Sequence, residues 1–216
     1  VILGVRALAT PLACGNTVVF KSSEICPRTH RLIADALFEA GLPPGVLNVV
    51  SNAPEDAPEL VEALIAHKGV RRVNFTGSTR VGRHIAEVAA RNLKPALLEL
   101  GGKAPFVVLD DADIEQAVAA AAFGAYMNQG QICMSTERIV VDEKIADQFV
   151  SALAAKAASL KAGDPRQGNT PLGCLVDLSA AQRIDALIKD AVAKGARIVA
   201  GGGIDGTIMQ ATVVDG

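Results

Sequence analysis

Short β-rich runs alternate with longer segments of helical period along the whole chain, and this pattern restricts the fold more than any other feature. Strands are expected over 16–21, 46–50, 71–75, 95–100, 105–109, 137–142 and 196–200, with a last one in T-I-M-Q-A-T-V-V-D-G at 207–216. The opening run V-I-L-G-V-R-A-L-A reads as helix. Pro27 opens the next helix and Gly41 follows its end. Further helices are expected over 55–67, 80–92, 144–160 and 179–194, and one from Asp113 to about Met127, where Gln116 completes a capping box. A loop rich in Gly, Pro and Asp covers 163–178. Strands alternating with helices of this length make βαβ units and parallel sheets with helices on both faces. Gly101-Gly102 falls between two such sets and reads as a domain junction. The expected class is α/β, with two incomplete Rossmann-like parallel-sheet domains over 1–100 and 101–216.

Half of the 216 residues are apolar, yet there is one Tyr and no Trp, so Ala, Val, Leu and Ile must fill the cores. The net charge is −2 and no basic stretch dominates a segment, so no nucleic-acid partner is expected. No apolar run approaches the ~20 residues that span a bilayer, and no signal-peptide pattern opens the chain. The expectation is a cytoplasmic protein with no membrane partner. Cys14, Cys26, Cys133 and Cys174 match neither a zinc site nor a disulfide framework, and free thiols are expected. The commonest role of such a Cys is a small buried residue. His30, His67 and His84 lie near helices without metal-like spacing and read as surface or helix-end positions.

Four segments could carry chemistry. Residues 75–83, F-T-G-S-T-R-V-G-R, make a strand, a glycine turn and a helix whose N-terminus could face an anion. Their spacing is G-x-x-x-x-G rather than the usual dinucleotide fingerprint, and an ordinary βα turn explains them equally. Lys21 and Glu24 stand just past the carboxyl end of a strand, where open α/β sheets bind ligands. An acidic group there can bond a ribose diol and repels a 2′-phosphate; a solvated loop gives the same pattern. Glu99 lies in an otherwise apolar strand, where a carboxylate is desolvated unless paired, which would raise its pKa and suit it to act as a base. A Glu facing outward from a half-exposed strand is the alternative. Cys133 sits in the polar turn N-Q-G-Q-I-C-M-S-T-E-R and is the least core-like of the four cysteines, which remain structural in the other three cases. Helix capping accounts for the Asp110-Asp111-Asp113 cluster better than a metal does, and no metal site is expected.

F-T-G-S-T-x-x-G, L-E-L-G-G-K and G-Q-x-C, in this order, resemble the aldehyde dehydrogenase superfamily, and the resemblance covers essentially the whole chain, including G-L-P-P-G-V-L-N-V-V. It implies a nicotinamide cofactor, NAD rather than NADP, and an aldehyde as the small-molecule substrate. It implies Cys133 as the nucleophile and Glu99 as the general base, acting through a cysteine thiohemiacetal and thioester. It places Lys21, Ser23 and Glu24 near the adenosine ribose. Phe75, Thr76, Gly77, Ser78, Val81 and Gly82 would form the cofactor turn, and Leu100 and Gly101 would also touch cofactor. N-Q-G-Q-I-C-M-S-T-E-R-I-V-V-D is most similar to the branch that oxidises aromatic aldehydes such as salicylaldehyde or vanillin. Members of the family form homodimers or homotetramers, and the same is expected here. A cysteine hydrolase or acyltransferase without nicotinamide would also use Cys133 and Glu99, but not Lys21, Glu24 and the glycine turn.

The chain begins with Val1 inside a helix and ends in a strand, so an internal fragment is expected. The family's oxyanion-hole Asn and its Glu-x-Phe-Gly-Pro segment do not occur in these residues, and the 216 residues alone are expected to have little or no activity. Losing one oxyanion donor alone costs ~10²–10³ in rate.

Overall fold

The computed structural model describes residues 1–168 and 170–216; position 169, in the loop expected over 163–178, lies outside the described residues. The chain divides into two compact units, Val1–Leu100 and Gly101–Gly216.

The first unit runs α1 (Ile2–Ala13), β1 (Val18–Lys21), α2 (Pro27–Glu39), β2 (Leu47–Val50), a 3-10 turn (Pro54–Asp56), α3 (Ala57–Ala66), β3 (Val73–Gly77), α4 (Thr79–Arg91) and β4 (Ala96–Leu100). β1 pairs with β2, and β3 with β4, both parallel. Each pair carries its own apolar layer. Leu8, Ala34 and Leu47 form one, against Leu12, Phe20 and Ile33. Ile65, Ile85, Val88 and Ala89 form the other, against Val73, Phe75 and Leu98. Apolar residues spaced at 85, 88 and 89 lie on one face of α4, as the helical period requires. Lys94, just before β4, donates its ammonium to the carbonyls of Ile65 and His67. A cation there satisfies orphan carbonyls at the end of α3 and complements its dipole.

The second unit runs β5 (Ala104–Val108), α5 (Ile114–Tyr126), a short 3-10 segment (Met127–Gly130), β6 (Thr136–Val141), α6 (Ala146–Ser159), α7 (Leu178–Ala193), β7 (Arg197–Ala200), β8 (Ile204–Asp205), β9 (Ile208–Met209) and β10 (Val213–Asp215). β5 and β6 pair in parallel, with a register shift at Pro105, which has no N–H to give the ladder. Asp113 caps α5 as expected: its carboxylate accepts from the Gln116 backbone and side-chain N–H groups, both at 3.0 Å. Asp110 of the same cluster pairs with Lys144 at 2.5 Å. Val108, Val118, Ala121, Ala122, Phe149 and Leu153 form the core under this pair.

The α/β class with parallel sheets is borne out, with one correction at the chain's end. The single strand expected over 207–216 is divided into β9 and β10, and the new partners are antiparallel: β8 with β9, and β10 with β7. Two residues join β8 to β9, too few for the crossover a parallel pair needs, and that hairpin rather than a crossover helix lies between β7 and β10. The loop before α7 also holds more order than its composition suggests. Ala162 bridges Leu172, and Cys174 bridges Ile208.

Leu153 is 4% exposed in the core of the second unit. Leu153→Ala is expected to lower unfolding stability by about 2–5 kcal/mol, read from the denaturant midpoint at unchanged slope.

Candidate active site

Lys21 ends β1 and Val50, its partner in register, ends β2, so the loops that follow leave the same edge. Lys21 Nζ donates to Glu24 Oε1 at 2.5 Å and to the Ser22 carbonyl at 3.2 Å. Asn52 Nδ2 donates to the same Glu24 oxygen at 3.3 Å. The Lys21 bond, helped by Asn52, holds the Glu24 carboxyl below its ordinary range against the opposing effect of burial. Its folded value is depressed, so the pair's contribution is full above about pH 4.5 and is lost as pH falls through the lower folded value. The Ser23 N–H donates to His30 Nδ1 at 2.9 Å, which requires that nitrogen to be unprotonated. Burial likewise lowers the His30 pKa. His30 takes the helix-end place its sequence context suggests, in the first turn of α2, but it is half-buried there, its ring centroid 5.0 Å from that of Phe20, and it fixes the loop carrying Ser23 and Glu24. Ser22, buried, and Ser51 tie the two loops together with their hydroxyls at 2.8 Å. Asn52 Oδ1 is buried and has no hydrogen-bond partner among the described residues. An unspent acceptor beside a Lys–Glu pair suits a nucleoside hydroxyl or amine.

The second cluster joins β3 to α4. Ser78 is the N-cap of α4 and accepts from the Val81 N–H at 3.3 Å. Thr76, Gly77 and Ser78 are exposed at this end, and the Phe75 ring lies beneath Gly77. Gly82, buried in the first turn of α4, lets the helix lie close on β4: a Cβ there would stand 2.6 Å from Leu100 Cδ2. Glu99 is brought to the same place, since it pairs in register with Thr76, and Leu100 with Gly77. Gly101 follows, exposed.

The desolvated, unpaired carboxylate that an apolar strand suggests is not what this unit presents. Glu99 Oε2 lies 3.0 Å from Arg6 of α1, and its side chain is 45% exposed. Strand alternation turns Leu98 into the core and lets Glu99 face away from it. Nothing in the sequence singled out Arg6.

Cys133 lies in the turn between the 3-10 segment and β6, where the Ser135 N–H closes onto the Ile132 carbonyl at 3.0 Å. It is exposed, as expected of a nucleophile, but so are Cys14, Cys26 and Cys174. The expectation that those three are buried is corrected. Cys14 and Cys26 cap helices, and Cys174 lies in an irregular segment, so none falls on an apolar stripe. What sets Cys133 apart is the backbone before it. Asn128, Gln129 and Gly130 take positive φ in succession, at 51°, 57° and 71°. At Gly130 a Cβ would stand 2.9 Å from the Ala125 carbonyl oxygen. Among the described residues no group of His, Cys, Asp and Glu is placed to hold a metal, and no helix is long and apolar enough to cross a membrane.

The model of the aldehyde dehydrogenase family matches residues 1–216. A vanillin dehydrogenase of Pseudomonas fluorescens is 66% identical over all of this chain, which covers 45% of that protein. A salicylaldehyde dehydrogenase of Pseudomonas putida is 56% identical over 99% of the chain and 44% of its own length. The crystal structure of a salicylaldehyde dehydrogenase from Pseudomonas putida G7 complexed with salicylaldehyde superposes with a TM-score of 0.95, over 99% of this chain and 44% of that one. PnpE, solved in complex with nicotinamide adenine dinucleotide, gives 0.86 at 39% identity, covering 94% and 42%. The chain thus spans about half the length of the curated relatives it matches.

Proposed function

The chain belongs to the aldehyde dehydrogenase family, and we propose from this premise that the protein oxidises an aromatic aldehyde to its carboxylic acid, with NAD as hydride acceptor. The observation that carries the reading is the 66% identity to a vanillin dehydrogenase over all 216 residues of the chain. We assign the unit Val1–Leu100 to cofactor binding and the unit Gly101–Gly216 to the nucleophile.

The residues at the two edges of the first unit fit a dinucleotide. Glu24 and Lys21 would take the adenosine ribose, with Asn52 Oδ1 as a further acceptor. Ser23 is held beside them by His30. The N-terminus of α4, opened by Gly77 and Ser78, would take the pyrophosphate through free backbone N–H groups. A nicotinamide dinucleotide bound there supplies the hydride acceptor, which no side chain can provide.

The chain's own residues supply the rest. The Cys133 thiolate adds to the aldehyde carbon, forming a C–S bond while the carbonyl oxygen becomes an oxyanion. Backbone N–H groups, that of Cys133 included, stabilise this oxygen. Once the carbon is oxidised it is held as a thioester on Cys133. Glu99 takes a proton from water, the hydroxide oxygen attacks the thioester carbon, the C–S bond breaks, and the thiolate is restored as the acid departs. A family homodimer or homotetramer is the expected assembly.

NADH formation at 340 nm with vanillin, salicylaldehyde and benzaldehyde tests the activity; the absence of NAD reduction with all three would overturn it. Glu24 also gives a test of cofactor choice. Glu24→Gln removes the charge facing a 2′-phosphate, and the ratio of kcat/KM for NAD to that for NADP is expected to fall by about tenfold or more. An unchanged ratio would remove Glu24 from the ribose site.

A further inference from the structure

We propose that Gln131 is a positioning residue for Cys133, clamping the nucleophile's turn onto the 173–176 segment. The inference rests on the reading of Cys133 as nucleophile. Three successive residues with positive φ precede Gln131, and two of them lack glycine's freedom. Such backbone persists only where surrounding structure over-determines it. The Gln131 side chain supplies that constraint from both ends of its amide. Its Oε1 accepts the Val176 N–H at 2.8 Å. Its Nε2 donates to the Asn128 carbonyl at 3.2 Å, inside the left-handed run, and to the Cys174 carbonyl at 3.4 Å. Gln129 repeats the pattern, its amide turned so that the oxygen accepts the Gly173 N–H at 2.8 Å and the nitrogen donates to Cys174 O at 3.3 Å.

The segment these amides grip is itself fixed. Leu172 and Leu175 are buried, the Leu175 N–H donates to the Thr207 carbonyl at 2.8 Å, and Cys174 bridges Ile208 of β9. The β8–β9 hairpin, the 173–176 segment and the turn before Cys133 therefore form one hydrogen-bonded stack. Gln131 is the member two residues from the thiol. Removing its amide leaves the left-handed run without its clamp and lets the sulfur wander from the attack position, at little cost to cofactor binding, whose residues lie in the other unit.

The test compares Gln131→Ala, Gln131→Glu and Cys133→Ser in the full-length protein, with vanillin as substrate. In Gln131→Ala, kcat is expected to fall about tenfold or more while KM for NAD stays within about twofold. Amide exchange should quicken together in peptides covering 127–135 and 172–177, but not in α4. Gln131→Glu keeps the acceptor for the Val176 N–H but turns a second oxygen toward the Asn128 and Cys174 carbonyls, so its kcat should fall as well. A kcat for Gln131→Ala within about twofold of the parent, with Cys133→Ser inactive, overturns the positioning role alone. Global unfolding of both variants also overturns it, because Gln131 would then support the unit rather than aim one thiol. Turnover retained by Cys133→Ser would instead overturn the nucleophile reading beneath it.

Discussion

Cys133→Ser is expected to lower aldehyde oxidation by on the order of 10⁴-fold or more, with the affinity for NAD unchanged. The serine hydroxyl keeps the volume and the turn, so the unit should fold as before; Cys133 is exposed and contributes no core packing. What is lost is the stronger nucleophilicity of sulfur over a hydroxyl oxygen, and a sulfur ester that water can cleave. The same substitution at Cys14, Cys26 or Cys174 should leave the rate within about twofold, although all are exposed. Accessibility does not separate the four cysteines, so this comparison isolates the chemistry of one of them. Comparable losses at Cys133 and any of the other three would sink the assignment.

Glu99→Gln is expected to split the reaction rather than stop it. The first turnover should still release NADH in a burst, because addition of the thiolate does not need Glu99. The steady state should then fall by about 10²–10⁴-fold as thioester accumulates on Cys133. Mass spectrometry of the quenched protein should find the acyl adduct on that residue. The exchange is nearly isosteric, and the half-exposed pair with Arg6 contributes only about 0–1 kcal/mol to stability, so folding should survive it. Loss of the burst itself would move Glu99 from thioester cleavage to an earlier step.

Most of the frame is legible in the sequence because it rests on local periodicity. The helix over Thr79–Arg91 and the cap at Asp113 follow from residue spacing alone. The last strands do not, because residues 207–216 are shared between two different partners, β8 and β7, a choice that alternation alone does not make. The site is legible only in part. Lys21, Glu24, Gly77 and Glu99 stand out as charges or glycines at strand ends, which is a signal a sequence carries. The groups that hold them do not. Asn52 meets Glu24 because β1 and β2 end in register, His30 reaches Ser23 from one helix further on, and Arg6 reaches Glu99 from the far end of the unit. Each is an ordinary polar residue until the fold places it. Gln131 is the same case: two of its partners are the carbonyl and N–H of residues more than forty positions away, which have no side-chain identity to read.

The contact between Gly82 and Leu100 has a mechanical meaning. β3 and β4 are in register, so the turn proposed for the cofactor and the strand carrying Glu99 share one wall. Within that wall the Leu100 side chain occupies the space a methyl group at position 82 would need. Two motifs well apart in the sequence therefore meet at one side-chain contact. A side chain at position 82 would have to displace that of Leu100, next to Glu99, so what reads as a binding-site glycine also makes room for the end of the catalytic strand.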